Sequence, residues 1–240
     1  MTQTSSDPRS HLAVALDVSD LTEAVRIAKA VSPHIGVAKV GLQLFSAVGP
    51  RAVEAIRETG LDVFLDVKLH DIPNTVGAAA RVLGSLGARY LTVHASGGEA
   101  MMRAAVEGLT EGATHAGLPV PTTLAVLILT SHDDAPASLL TERLSAAVKA
   151  GSPGIVCAAA DLPTVRASAP TIFAVTPGIR MPGGDTHDQA RVSTPGEAIA
   201  KSANLLVIGR AVTAAQDPAS AAAEVAADVQ ASLATQTSRA

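Results

Sequence analysis

Apolar and polar positions along this chain repeat in one order: a short aliphatic run, a turn carrying charged or glycine residues, then a longer stretch with helical spacing. The first apolar run, 12–16, stops at Asp17, and Ser19-Asp20 follows as the N-cap signal of a helix through Val31. Residues 36–41 read as a second short strand carrying Lys39, and 46–59 as one helix closed by Gly60. A third strand covers 62–69, and an Ala-rich helix over 75–86 is started by Pro73-Asn74 and stopped by Gly87. The fourth strand, 90–94, runs through Ser96-Gly97-Gly98 into a helix with Met101, Met102, Ala105 and Val106 on its apolar side. A continuous apolar fifth strand, 122–129, precedes a helix over 139–150. The sixth strand, 155–158, is followed by a short helix at 162–168, and the seventh, 172–175, runs into Thr176-Pro177-Gly178 and a long irregular segment, 179–193. Thr194-Pro195 opens a helix through Ala203, the eighth strand is 205–208, and Asp217-Pro218 starts a last helix reaching about Leu233.

Eight strand-helix units in series, with strands apolar on both faces, predict an α/β fold closed into a (β/α)8 TIM barrel. The whole chain, 1–240, is then a single domain with polar tails over about 1–10 and about 235–240. An open doubly wound sheet is the alternative, and it lacks the G-x-G-x-x-G turn expected after its first strand.

Composition narrows the class. An apolar fraction of 48% against 17% charged residues supplies a large core, and with only 2% aromatic residues it must be built from Ala, Val, Leu and Ile. A net charge of −4 and so few rings argue against a nucleic-acid surface. The single cysteine, Cys157, leaves no internal disulfide and makes a cysteine-based metal site implausible. The first ten residues lack a secretory layout, and no apolar run reaches the roughly 20 residues that span a bilayer. A soluble, cytoplasmic protein is expected, with no nucleic-acid or membrane partner.

In such a barrel the active site lies at the C-terminal strand ends. There the chain puts Asp17, Lys39, Asp66, Lys68, Asp71, His94, Ser131, Pro177-Gly178 and Gly209-Arg210. Asp17 by itself reads as a helix-capping carboxylate. Lys39, facing a barrel interior, needs a carboxylate, and Asp66 on the neighbouring strand is the natural one. Asp66 and Lys68 share a strand face by their spacing. With Asp71 they form either a structural ion-pair network or a site that keeps Lys68 protonated as a proton donor. Gly209 lets the backbone approach a phosphate, and Arg210 offers a planar fork to its oxygens. The Gly-rich stretch 180–185 reads as a closing lid, with Gln189 beyond it within reach of a ligand. His70, His132 and His187 fall on loops. His94 is a hydrogen-bonding group at the barrel mouth or a site residue.

The run Asp66-Val67-Lys68-Leu69-His70-Asp71-Ile72 resembles the D-x-K-x-x-D-I signature of the orotidine 5′-phosphate decarboxylase family. Leu16-Asp17, Lys39-Val40-Gly41, 93–98, Leu129-Thr130-Ser131, 176–180, Asp188-Gln189 and Ile208-Gly209-Arg210 resemble further family stretches in family order, over nearly the whole chain. The resemblance implies cofactor-free and metal-free decarboxylation of a nucleotide, orotidine 5′-phosphate, to uridine 5′-phosphate in pyrimidine biosynthesis. It implies that Lys39, Asp66, Lys68 and Asp71 form the catalytic network, Asp71 and Thr75 reaching into the partner subunit's site of a homodimer. Asp17 would hold a ribose hydroxyl, Ser131 the pyrimidine, and Pro177 the apolar pocket near the leaving carboxylate. Gln189, Gly209 and Arg210 would bind the phosphate, and Ile72, which closes the signature, counts with the substrate-binding set. Loss of CO2 leaves charge on a ring carbon, which Lys68 would stabilise and protonate. Two alternatives stay open. One is a Mg²⁺-dependent sugar-phosphate decarboxylase or synthase with a similar motif, which calls for a carboxylate where this chain has Lys39. The other is a non-catalytic barrel that binds a phosphate ligand.

Overall fold

Short strands that are apolar on both faces must be covered on both, and a ring of helices around a closed sheet does this. A computed structural model of the chain describes residues 7–131, 136–181 and 191–237. These residues form a closed barrel of parallel strands in sequence order: β1 (Leu12–Ala15), β2 (Val37–Gly41), β3 (Asp62–Leu69), β4 (Tyr90–His94), β5 (Thr122–Val126), β6 (Gly154–Val156), β7 (Phe173–Thr176) and β8 (Leu205–Ile208). Closure is seen at Val14 of β1, which pairs with Ala38 on one side and Ile208 on the other. The predicted (β/α)8 barrel is therefore the observed fold.

Strand alternation divides the core in two. Ala13, Val37, Phe64, Tyr90, Leu124, Val175 and Leu205 point inward and pack in one cluster. Their strand neighbours, among them Leu12, Val14, Ala38, Leu65, Leu91 and Ala125, pack outward against the helices. Phe64 meets Tyr90 edge to face at 6.0 Å, and Tyr90 stacks on Phe173 at 5.5 Å, so the barrel interior is filled below its mouth. Lys39, Asp66 and Thr92 lie two residues beyond Val37, Phe64 and Tyr90, on the same inward face.

The outer layer is α1 (Leu21–Val31), α2 (Leu42–Val48), α3 (Arg51–Arg57), α4 (Pro73–Gly84), α5 (Gly98–His115), α6 (Ala137–Lys149), α7 (Leu162–Ser168), α8 (Pro195–Ala200), α9 (Arg210–Thr213) and α10 (Pro218–Thr237). Asp20 caps α1 as expected, accepting from the amides of Thr22 and Glu23. The single helix expected over 46–59 is instead the pair α2 and α3. Gly49 adopts φ +64°, and Pro50 has no N–H to continue the ladder. β5 ends at Val126 rather than 129, with Arg143 of α6 donating to the Leu127 carbonyl at 2.6 Å, and residues 127–129 turn into the mouth. The polar tails are shorter than expected. A 3-10 turn, Pro8–His11, is fastened by the Gly36 amide on the Arg9 carbonyl at 2.9 Å, and α10 continues to Thr237.

One helix pair, α4 with α5, packs with its backbones in contact. A Cβ at Gly112 would collide with the Arg81 carbonyl oxygen, one at Gly108 with that of Gly77, and one at Gly84 would come within 2.6 Å of that of Leu109. Glycine here permits the close approach. Gly112→Ala is expected to force the helices apart and destabilise the fold by about 1–3 kcal/mol. Thermal denaturation checks this, and an unchanged Tm would refute it.

Candidate active site

The strand ends at the barrel mouth enclose a cavity of about 540 Å³. Its walls include Asp17, Lys39, Asp66, Lys68, Ser131, Pro177, Gly209 and Arg210, together with Arg180 and the apolar side chains of Phe64, Val126, Ile128, Leu129, Val156 and Val207. Charged groups from four consecutive strand ends thus border one space with an apolar lining, the usual make-up of a small-molecule site.

Its polar wall is an alternating row. The Lys39 ammonium lies 3.0 Å from Asp17 Oδ1 and 3.5 Å from Asp66 Oδ2, and the Lys68 ammonium donates to both Asp66 oxygens at 2.8 Å. Asp66 is 8% exposed. Burial pushes its carboxyl up, but the ammonium groups of Lys39 and Lys68 and the hydrogen bonds from Lys68 and Thr92 outweigh burial and hold it below the ordinary carboxylate range. Asp66 is therefore an anion at neutral pH, and the row of two carboxylates and two ammonium groups is electrically neutral. An anionic ligand must find its counter-charge elsewhere, and Arg210 stands exposed on the cavity rim beside Gly209.

Lys68 reaches this position through an irregular backbone. Leu65 pairs with Leu91 and Leu69 with Val93, so four residues of β3 advance against two of β4. Within that bulge Lys68 has φ +48°, a left-handed conformation that costs a non-glycine residue about 1–2 kcal/mol. Its amide donates to Thr92 Oγ1 at 2.9 Å, and the Thr92 hydroxyl donates to Asp66 Oδ1 at 2.9 Å. A regular strand would carry Asp66 and Lys68 along one face, as their spacing suggests; the ion pair forms across a bulge instead. Thr92 was missing from the sequence-derived candidates, though its alternation with Tyr90 and His94 marked an inward hydroxyl.

The remaining candidates fall outside this row. Asp71, Ile72 and Thr75 are exposed beyond the end of β3 and do not line the cavity within the single chain. Asp71 Oδ1 accepts the Ile72 amide at 2.7 Å. His94 lies against His70, ring centroids 5.5 Å apart. Burial first, then the charges of His70, Lys68 and Arg143, push His94 below the usual histidine value and keep it neutral. Gln189, the stretch 182–185 expected to act as a lid, His132 and His187 lie outside the described residues. The base of the irregular segment is tied: Ser193 donates to the Gly178 carbonyl at 3.1 Å, and the buried Arg180 donates its amide to Ser193 at 3.0 Å and its guanidinium to Ile179 at 2.9 Å.

A closed α/β barrel whose mouth joins a buried lysine-aspartate row to a Gly-Arg rim defines an acid-base enzyme site for a small anionic ligand. Residues 10–225 match the sequence model of the orotidine 5′-phosphate decarboxylase / HUMPS family, and the chain belongs to that family. It is 42% identical over 234 residues to the orotidine 5′-phosphate decarboxylase of Moorella thermoacetica, with 92% of this chain and 93% of the relative covered. Identity to that of Thermobifida fusca is 46% over 233 residues, covering 91% and 95%. Among solved structures, the orotidine 5′-phosphate decarboxylase of Lactobacillus acidophilus superposes with a TM-score of 0.76 at 33% identity, covering 91% of this chain and 98% of the other.

The depressed acidity of Asp66 has a consequence for stability. The unfolded carboxyl titrates near about 3.9, above the folded value, so its contribution is complete above about pH 4 and is lost as pH falls through the folded value. Asp66→Asn leaves two ammonium groups facing each other without the anion between them. Its urea midpoint at pH 7 is expected below wild type, with a smaller further loss between pH 7 and pH 3. An acid-induced loss equal to that of wild type would refute this.

Proposed function

We propose that this protein is an orotidine 5′-phosphate decarboxylase that converts its substrate to uridine 5′-phosphate in pyrimidine biosynthesis, without a cofactor, in the cytoplasm. The observation that carries this reading is the row Asp17, Lys39, Asp66, Lys68 on the wall of an otherwise apolar cavity. No redox step is needed. The ring carbon-carboxyl bond breaks, CO2 leaves, the electron pair stays on the ring carbon, and a proton replaces the lost group. Lys68 fits the proton donor: its ammonium is held 2.8 Å from Asp66, an anion that stabilises the charged lysine until charge develops on the substrate. After transfer the neutral amine recovers its proton from water.

Other residues take supporting roles. Asp17, with its side chain 57% exposed, offers an acceptor to a ribose hydroxyl while Lys39 holds its Oδ1. Ser131 meets the pyrimidine, and Pro177 with Val156 and Ile128 lines the apolar side from which CO2 departs. Gly209, Arg210 and Gln189 take the phosphate. That contact, remote from the bond that breaks, supplies binding energy for organising the site. Asp71 and Thr75 act across a homodimer interface. Supporting this, Ile72 and Leu42 are 66% and 56% exposed just beyond the ends of the neighbouring strands β3 and β2, apolar surface that a second subunit would cover. Among the described residues no helix is long and apolar enough to cross a membrane.

A Mg²⁺-dependent sugar-phosphate activity, the other branch within the family, is disfavoured by Lys39. Its ammonium already occupies the space between Asp17 and Asp66 that a divalent cation would have to share. Following orotidine 5′-phosphate absorbance with purified protein, with and without EDTA, tests the reading. Turnover indifferent to EDTA is expected. Activity lost to EDTA and restored by Mg²⁺, or tight nucleotide binding without CO2 release, would overturn it. Lys68→Ala is expected to remain folded and to lose at least about 10³-fold in kcat, and near-normal turnover would remove Lys68 from its role. Arg210→Ala is expected to lower kcat/KM by about 10- to 100-fold, chiefly through KM. An unchanged KM would move the phosphate site elsewhere.

A further inference from the structure

The bulge in β3 takes the Lys68 amide off the strand ladder and sets the residue at φ +48°, so some group must hold that backbone where it is. The group in contact is Thr92, fully buried on β4. An amide can only donate, so the 2.9 Å contact from Lys68 N makes Thr92 Oγ1 the acceptor, and the hydroxyl hydrogen is then free for Asp66 Oδ1, also at 2.9 Å. We propose that Thr92 is a positioning residue of this reaction, its hydroxyl fixing the Lys68 backbone and the Asp66 carboxylate together so that the ammonium donor is aimed into the cavity. This rests on the decarboxylase reading above.

The chemistry requires a hydroxyl at this point. Valine matches threonine in shape but can neither accept nor donate, and it would leave a buried amide and a carboxylate oxygen each short of a partner. Alanine would also open a void. Serine keeps both hydrogen bonds. Once the amide contact is lost, nothing else in contact with that amide opposes relaxation of the left-handed Lys68 backbone toward an ordinary strand, which swings Nζ away from its station. A displacement of about 1 Å at a reacting group costs on the order of 100-fold in rate. Asp66 would at the same time hold its proton more tightly, because a hydrogen bond that favours its ionised form is gone. The groups facing Asp66 are Lys39 from β2, Lys68 from its own strand and Thr92 from β4, with Asp17 beyond Lys39. His94 and His70 flank Lys68, and Arg143 faces His94 from α6.

The test compares wild type, Thr92→Val, Thr92→Ala and Thr92→Ser. Thr92→Val and Thr92→Ala are expected to lower kcat by about 10- to 100-fold, to change KM for orotidine 5′-phosphate by less than about threefold, and to move the acid limb of kcat/KM to higher pH. Thr92→Ser is expected to restore most of kcat and the wild-type acid limb. A Thr92→Val protein with wild-type kcat and pH profile overturns the proposal, and so does a Thr92→Ser protein as impaired as Thr92→Ala, since the methyl and not the hydroxyl would then matter. If Thr92→Val does not fold, the Ser and Ala comparison decides alone. Failure of wild type to release CO2 sinks the decarboxylase reading instead. Even then, carbon-13 titration of the Asp66 carboxyl in substrate-free protein still reads the Thr92 contact: the titration is expected to move upward in the variants lacking the hydroxyl, and an unmoved titration counts against it.

Discussion

A carboxylate taken out of water must be compensated where it stands, and Asp66 is compensated from three strands at once. Lys39 comes from β2, Lys68 from its own strand and Thr92 from β4. None of these would reach it in an open or differently ordered sheet. Strand order, the β3 bulge and the inward alternation that ends in polar residues all converge on this one anion. Remove it and two ammonium groups face each other across a dry wall. The same arrangement does the functional work, because an ammonium held beside a permanent anion stays charged until a substrate develops a charge of its own.

The barrel below is built for stiffness. Its interior is filled by Phe64, Tyr90, Phe173 and branched aliphatic side chains, while α4 and α5 lock together through glycines with no intervening side chains. A rigid floor lets the strained Lys68 backbone persist, since strain survives only where the surroundings over-determine it. The softer parts lie at the rim. There the chain leaves β5 early, and the 179–193 segment departs and returns through the Gly178, Arg180 and Ser193 hydrogen bonds. Neutrality of the charged row sorts the work between the two sides of the cavity. The row manages one proton and one bond, and an anionic ligand's charge goes to Arg210.

Strand and helix order could be read from the chain because every unit carries its own punctuation: a short apolar run, a cap such as Asp20, a stop such as Gly87. Where punctuation was overlooked the reading slipped, as at Gly49-Pro50, which divides one expected helix into two. The site was legible for a similar reason. Lys39, Asp66, Lys68 and Arg210 are charged residues at the ends of apolar strands, and that is costly unless they meet partners. Thr92 was not legible, since a threonine in a strand needs no explanation until a bulge is seen opposite it. The partner of Lys39 was half right: Asp66 is one, and Asp17, expected to cap a helix, lies closer.

By itself the sequence determined the barrel class, the set of charged residues and the end of the barrel where they gather, because periodicity and the cost of burying charge are local matters. Only the tertiary structure decided which groups touch. A bulge depends on register between two strands, and the direction of a hydroxyl depends on both neighbours it serves. The opening stretch of β3 therefore carried the right residues without their geometry. Asp66 and Lys68 meet across a left-handed kink held by a residue on the next strand, and no spacing within β3 encodes that contact.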